Sequence, residues 1–151
     1  MCSSDLQQTA FQEYFAAGGG FLGVGSAIET EPDWQFLTDA IGARATGASP
    51  VTQARIKVAD RVHEASKSLP EYWVRTDRWY NFTENVRGKS HVLATVDESS
   101  YSGGTNGVDH PIAWCKNFEG GRSFYTGGGN TIGSFGEPGL EIGRASCRER
   151  V

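Results

Sequence analysis

Residues 18–30, with the sequence GGGFLGVGSAIET, restrict the fold more than any other part of the chain. The apolar run at 21–24 lies between glycines, which is typical of a fully buried parallel strand. The glycines after it allow a sharp turn, and residues 30–33 (TEPD) predict the start of a helix that ends at Gly42. Strand, tight turn and helix form the unit of a doubly wound sheet, whose ligands bind beyond the carboxyl ends of the strands. We therefore expect residues 25–29 to form the floor of any site.

The rest of the chain predicts one more helix and several strands. Apolar residues at helical spacing over residues 7–17 predict a helix that Gly18 ends. Alternating or apolar segments predict extended chain at residues 53–58, 72–82, 91–96, 112–115 and 122–126. The last two bracket NFEGG, which is typical of a hairpin turn, and GGGNT at 127–131 is a second glycine-rich turn after a strand. The pattern predicts one α/β domain with an antiparallel hairpin extension.

Both ends of the chain differ in character from the middle. Residues 1–6 (MCSSDL) and 141–151 (EIGRASCRERV) resemble translated sequencing-adapter sequence, so we expect the natural domain to occupy residues 7–140. The alternative is that 141–151 is a genuine basic tail. Without these ends Cys115 is the one remaining cysteine, which excludes a disulfide framework and a cysteine-rich metal site.

Charge and composition exclude several classes of partner. The chain has 14 basic and 18 acidic residues, a net charge of −4, which argues against nucleic acid as the main partner. No segment has the length and apolar character of a bilayer span, so we expect no membrane partner. The histidines lack metal-ligand spacing, and Glu29 would repel a pyrophosphate at the turn. The sequence therefore predicts neither a metal nor a cofactor.

Residue types alone leave the candidate site residues open between two interpretations. A nucleophile elbow has the pattern glycine, any residue, nucleophile, any residue, glycine. In residues 23–27 (GVGSA) the nucleophile position is Gly25, and Ser26 comes one residue after it, so Ser26 is interpreted as a turn residue. Residues 76–82 (TDRWYNF) combine polar groups with aromatic rings that suit the faces of sugars. Alternatively the rings are core and Asp77 pairs with a neighbouring arginine. His110 follows a flexible loop, where a loop-fixing hydrogen bond is the alternative to a functional role.

Longer segments show a specific resemblance. AGGGFLGVGSAIETEPDW, LPEYWVRTDRWYNF, GKSHVLATVDE and YSGGTNGVDHPIAWCKNFEGGRSFYTGGGNT, in this order and spacing, resemble the trehalose-utilisation (ThuA-like) family over residues 7–140. The resemblance implies a class I glutamine amidotransferase-like (flavodoxin-like) doubly wound sheet, here without its first strands. It also implies a role in carbohydrate metabolism. Many members occur in secreted bacterial multidomain proteins, which implies an extracellular or periplasmic location and other domains of the same chain as partners.

The chain departs from the family pattern at three positions. Many members have histidine at the position of Gly25, a glycine–histidine–threonine turn at 129–131, and glutamate at the position of Arg78. Cys115 lies in a hairpin strand and not at the turn, so classical cysteine–histidine glutaminase chemistry is not expected. An activity as a carbohydrate hydrolase or isomerase is left open.

These observations lead to two hypotheses about function. In the first, a small-molecule carbohydrate binds over the turn, and three residues transfer protons: Glu29, Asp77 and His110. Five further residues position the ligand: Ser26, Trp34, Tyr80, Asn81 and Asn130. In the second, the domain is a non-catalytic binding or structural module of a larger secreted protein.

Overall fold

The computed structural model describes residues 3–136, which form a mixed α/β fold of two helices and eight strands. The helices are α1 (Ser3–Ala16) and α2 (Gln35–Ile41). The strands are β1 (Gly20–Val24), β2 (Ala45–Ala48), β3 (Thr52–Val58), β4 (Tyr72–Asp77), β5 (Tyr80–Phe82), β6 (His91–Asp97), β7 (His110–Phe118) and β8 (Gly121–Thr126). Helix α1 begins inside the segment 1–6. The expected domain end at residue 140 and the segment 141–151 lie outside the described residues.

The main sheet has six strands in the order β1-β8-β7-β6-β3-β4. Strand β1 runs parallel to β8, and the other neighbouring pairs are antiparallel. The prediction of a parallel strand at 21–24 is confirmed, but the prediction that it is fully buried is wrong. Within the described residues β1 is an edge strand, Leu22 is 38% exposed and Gly23 alone in the strand is buried. An apolar run indicates a strand, whereas its place in the sheet depends on partners distant in sequence.

The sequence predicted where the two helices end, but it did not predict where α2 begins. Gly18 follows α1 with φ +93°, and Gly42 ends α2 with φ +98°, both as predicted. The predicted start of α2 at residues 30–33 is wrong, because α2 begins at Gln35 and no side chain caps it. Thr30 instead donates its hydroxyl to the Ala27 carbonyl at 2.7 Å, which closes a 3-10 turn. Thr30, which was predicted to cap α2, therefore stabilises the 3-10 turn that precedes the helix.

The hydrophobic core has two parts, one on each face of the main sheet. Ala113 and Trp114 on β7, and Phe124 and Tyr125 on β8, belong to different parts, since successive side chains of a strand point to opposite faces. The first part contains Ala54, Ile56, Ala65, Trp79, Leu93, Ala94, Val96, Ile112, Ala113 and Phe124. The second contains Ile28, Leu37, Ile41, Ala43, Tyr80, Phe82, Val86, Val92, Trp114 and Tyr125. Trp79 and Tyr80, whose rings could have served a ligand, are 1% exposed and belong to the core.

The predicted hairpin is confirmed, whereas the antiparallel pairing of β2 with β5 was not predicted. Strands β7 and β8 pair up to Phe118 and Gly121, and the connecting Glu119 and Gly120 have φ of +45° and +85°. Strand β2 pairs with β5 in a separate two-stranded sheet. This small sheet fixes the backbone of residues 80–82, two of which are candidate site residues.

Candidate functional site

One edge of the main sheet carries the ends of the segments that hold most of the predicted site residues. Parallel pairing places the ends of β1 and β8, at Val24 and Thr126, side by side. The antiparallel registers bring the start of β7, at His110, and the end of β4, at Asp77, to the same edge. We call this side of the sheet, defined by Val24, Thr126, His110 and Asp77, the carboxyl edge. The sheet topology therefore brings together segments that are about a hundred residues apart in sequence.

The turn after β1 is an elbow that packs against the second glycine-rich turn. Gly25 has φ +53° and begins a 3-10 turn over Gly25–Glu29. The hydroxyl of Tyr125 donates to the Gly25 carbonyl at 2.9 Å. A Cβ atom at Gly25 would collide with Oδ1 of Asn130. In this chain glycine at the elbow avoids both the strain of a positive φ and a clash with the Asn130 side chain.

Asp77 is fully buried and holds the second turn in place. Its carboxylate accepts hydrogen bonds from the backbone N–H groups of Gly129 at 2.8 Å and Asn130 at 3.1 Å, and from the Ser134 hydroxyl at 2.8 Å. The Arg75 guanidinium lies 3.3 Å from the same carboxylate, and the two side chains are 3% and 0% exposed. The alternative in which Asp77 pairs with a neighbouring arginine is thus what the structure shows.

Glu29 is an exposed carboxylate held by a buried phenol. Tyr80 donates its hydroxyl to Oε2 of Glu29 at 2.9 Å. Burial, together with the Glu29 carboxylate, raises the pKa of Tyr80 to about 12, so the phenol stays protonated and donates at neutral pH. The guanidinium of Arg78 lies over the Tyr80 ring, 5.6 Å from its centroid. A carboxylate and a guanidinium cation are therefore arranged around one aromatic ring at the carboxyl edge.

His110 is also fully buried, with both ring nitrogens engaged. Nε2 lies 2.8 Å from the Tyr80 carbonyl, and Nδ1 lies 2.7 Å from Oε1 of Glu98. A carbonyl oxygen can only accept, so Nε2 carries a proton. Glu98 also accepts from the backbone N–H groups of Asn106 and Gly107. His110 thus connects β5 to the loop between β6 and β7, in agreement with a loop-fixing role.

The remaining predicted residues divide into exposed and engaged side chains. Ser26 is exposed on the elbow, and Trp34 is half-buried against the rings of Phe11 and Phe36. Asn81 is buried and uses its amide for the loop, donating to the Gly103 carbonyl and accepting from the Thr105 N–H. Asn130 donates to the carbonyls of Arg78 at 3.0 Å and Gly127 at 2.7 Å. Both amides therefore shape backbone around the site.

A cavity of about 780 Å³ lies at the opposite edge of the sheet, beside the starts of β1 and β8. Cys115 lines it, with its sulfur 3.8 Å from Nε2 of His63. The Ala65 N–H donates to Nδ1 of His63, so Nε2 carries the proton and cannot accept one from the thiol. Burial raises the pKa of Cys115 as well. This pair is not arranged for nucleophilic catalysis.

In residues 3–136 no three His, Cys, Asp or Glu side chains are grouped closely enough to hold a metal ion. Neither helix of the described chain has the length and apolar character needed to cross a membrane.

The sequence profile of ThuA, described as trehalose utilisation, matches residues 2–141, almost the whole chain. The chain belongs to the ThuA family. This membership confirms the resemblance and supports a carbohydrate-related role at the level of the family. No protein with curated annotation matches the chain in sequence.

Solved structures show the same fold at low identity. A ThuA-like protein from Bacteroides uniformis matches with a TM-score of 0.75 and 23% identity, over 89% of this chain and 59% of its own. A ThuA-like protein from Parabacteroides merdae matches with a TM-score of 0.65 and 18% identity, over 80% of this chain and 53% of its own. A β-galactosidase from Bacillus circulans matches at 0.58 and 14%, over 92% of this chain and 20% of its own. The chain thus spans little more than half the length of the two ThuA-like proteins.

Sequence reasoning missed two residues that shape the site of this ThuA-family chain. Glu98 anchors His110 and two backbone N–H groups of the loop, although it stands in a polar stretch without a motif. Arg78 extends over Tyr80 on the exposed side. Its position directly after Asp77, in a segment already singled out for sugar binding, was the available signal.

Proposed function

We propose that this ThuA-family chain binds a sugar or sugar derivative at the carboxyl edge, over the elbow. One observation carries the proposal: the exposed carboxylate of Glu29 is fixed by the buried hydroxyl of Tyr80. A fixed carboxylate is a suitable acceptor for sugar hydroxyl groups, since charge-assisted hydrogen bonds are short and strong. The family description, trehalose utilisation, supports a carbohydrate as the class of ligand.

The remaining predicted residues take different parts in this proposal. Ser26 lies on the exposed surface of the elbow and offers a hydroxyl to the ligand. Asn130 and Asn81 act indirectly, because their amides hold the glycine-rich turn and the neighbouring loop. Trp34 contributes an apolar wall from the start of α2.

Proton transfer in this site would fall to Glu29. Asp77 and His110, the other two residues proposed for it, are fully buried and hydrogen-bonded to backbone groups. A general acid or base must come within hydrogen-bond reach of the substrate. In this proposal Asp77 and His110 are positioning residues, and a hydrolase or isomerase activity would depend on Glu29.

The same burial favours a second candidate, a binding module without catalysis. Two of the three proposed proton-transfer groups are used to hold loops together, which a purely binding domain also requires. Turnover of glycosides and keto-sugars by the chain, lost in Glu29→Gln, would favour the enzyme. Sugar binding without turnover would favour the module.

Sugar binding is tested by isothermal titration calorimetry of the chain with glucose and trehalose. Because a hydrogen bond to a charged group is lost, Glu29→Gln is expected to weaken binding about tenfold. Glu71→Gln is the matched control, since Glu71 is an exposed acid beside the far end of β4 and pairs with Arg61. Equal affinities of wild type and Glu29→Gln, or no binding of either sugar, would contradict the proposal.

We also infer that the main sheet is part of a class I glutamine amidotransferase-like, doubly wound sheet. The parallel β1–β8 pair, the elbow and α2 support this arrangement. The chain spans 59% of the B. uniformis protein. We therefore include in this proposal that further strands complete the sheet and that other domains of the same protein are its partners.

A further inference from the structure

Arg78 is an exposed cation whose backbone is fixed at both ends. Its N–H donates to Oδ1 of Asp77 at 2.8 Å, and its carbonyl accepts from Nδ2 of Asn130 at 3.0 Å. The two partners hold the end of β4 and the second glycine-rich turn, so Arg78 cannot move without them. Its guanidinium therefore projects from a rigid support at the carboxyl edge.

The side chain of Arg78 is oriented by the aromatic ring below it. The guanidinium lies 5.6 Å from the centroid of Tyr80, within the range of a cation–π contact. The same ring carries the hydroxyl that binds Glu29. One fixed phenol thus orients a cation over its face and an anion at its hydroxyl, and both charged groups reach the surface.

Arg78 makes no ion pair with an acidic side chain in the described part of the chain. The other exposed arginines of the loops and strands near it in sequence do: Arg87 pairs with Asp109 and Arg61 pairs with Glu71. Even Glu29, on the same ring, is bound to the phenol and not to the guanidinium. A positioned arginine without an internal anion is suited to bind an anion from outside.

We propose that the ligand of this site is a sugar acid, whose carboxylate Arg78 binds while Glu29 binds its hydroxyl groups. The inference rests on the proposed function and names its substrate class. The planar guanidinium fork matches a carboxylate in a bidentate manner. Glu29 opposes accumulation of negative charge near the ring, which favours a single charge over a phosphate dianion. The chemistry is that of a uronate or aldonate.

Calorimetric titration of the 151-residue chain with glucuronate, glucose and a hexose phosphate tests the assignment. Glucuronate is expected to bind about tenfold more tightly than glucose at low salt, because the added pair is charge-assisted. About 0.5 M NaCl should reduce this preference, since Arg78 is exposed. Equal affinity for glucuronate and glucose, or tighter binding of the hexose phosphate, would overturn the inference.

Substitutions test whether Arg78 itself, and not the overall charge of the protein, causes the preference for glucuronate. Arg78→Gln should remove the preference for glucuronate over glucose, so that the two affinities become similar. Arg78→Lys keeps the charge without the fork and should retain part of the preference. Arg122→Gln, the matched control, removes the same charge at the opposite edge of the sheet and should change neither affinity. Circular dichroism of each variant confirms folding, and a preference that persists in folded Arg78→Gln would overturn the inference.

The outcome also distinguishes this inference from the proposed function. Binding of glucose that depends on Glu29, without a preference for glucuronate, would leave the proposed function in place and overturn the role of Arg78. Failure of the wild-type chain to bind either sugar would overturn both.

Discussion

Asp77 holds three parts of the molecule together through two oxygen atoms. It accepts hydrogen bonds from the backbone of the second glycine-rich turn and from Ser134 beyond that turn, and it forms an ion pair with Arg75 on its own strand. The N–H of Arg78 is a further donor. The negative charge of one buried residue therefore fixes the wall of the site opposite the elbow.

Asp77→Asn is expected to lower the free energy of unfolding by about 3 kcal/mol, because it removes the buried charge at which these donors point. Urea unfolding of wild type and variant measures the difference. Glu64→Gln is the matched control: Glu64 pairs with Lys67 on the surface, and its loss should cost less than about 1 kcal/mol. An equal effect of the two substitutions would contradict the role assigned to Asp77.

At the residue scale the sequence singled out candidate site residues but could not predict their contacts. TDRWYNF indicated a functional segment, but within it Asp77 is buried and holds the backbone of the second glycine-rich turn, whereas Arg78 is exposed. Glu29 and Tyr80 are 51 residues apart, and no local pattern connects them. Such a pair arises from the packing of the elbow on the two-stranded sheet, which was not predicted.

Helix α2 is held at its carboxyl end by side chains of the sheet. Its last carbonyl groups have no partner within the helix, as in any α-helix. Trp114 donates its indole N–H to the carbonyl of Ile41 at 2.7 Å, Ser123 donates to Ala40 at 2.5 Å, and Lys116 donates to Asp39 at 2.8 Å. Strands β7 and β8 thus position the helix that follows the elbow.

Trp114→Phe is expected to destabilise the protein through the loss of this cap, since the buried carbonyl of Ile41 loses its donor. Trp73→Phe is the control, because the indole N–H of Trp73 is buried and has no hydrogen-bond partner within residues 3–136. The difference between the two free energies of unfolding should be about 2 kcal/mol, with Trp114→Phe the less stable. Thermal or urea unfolding measures it, and a larger loss in Trp73→Phe would contradict the capping role.

At the element scale, local signals predicted what local forces determine. The glycines after α1 and α2, the alternation in β3 and the NFEGG hairpin are confirmed, because turn geometry and side-chain periodicity depend on neighbours in sequence. The edge position of β1 and the late start of α2 were not predicted. The edge position of β1 depends on its pairing with β8, about a hundred residues away. The late start of α2 has a local cause, because Thr30 closes the 3-10 turn through Ala27 and does not cap the helix.

Ionised acidic side chains hold several loops of the molecule in place. Backbone N–H groups and His91 lower the pKa of Asp60, Ser99 lowers that of Asp97, and the Arg87 guanidinium lowers that of Asp109. Each holds a different loop beside the sheet. A carboxyl group whose pKa is lowered by folding stabilises the native state above its unfolded pKa, and this contribution is lost as the pH falls through the folded pKa.

The contribution of these three carboxylates to the free energy of unfolding should therefore be nearly constant from about pH 7 to about pH 5 and fall below about pH 4. Asp109→Asn isolates one contribution: it should be less stable than wild type by at most about 1 kcal/mol at neutral pH, since the Arg87 pair is partly exposed. Near pH 3, where the free carboxyl group is largely protonated, the two curves should approach each other. Arg87→Gln removes the other partner and should show the same convergence. A deficit independent of pH would mean that Asp109 stabilises the loop through its shape and not through its charge.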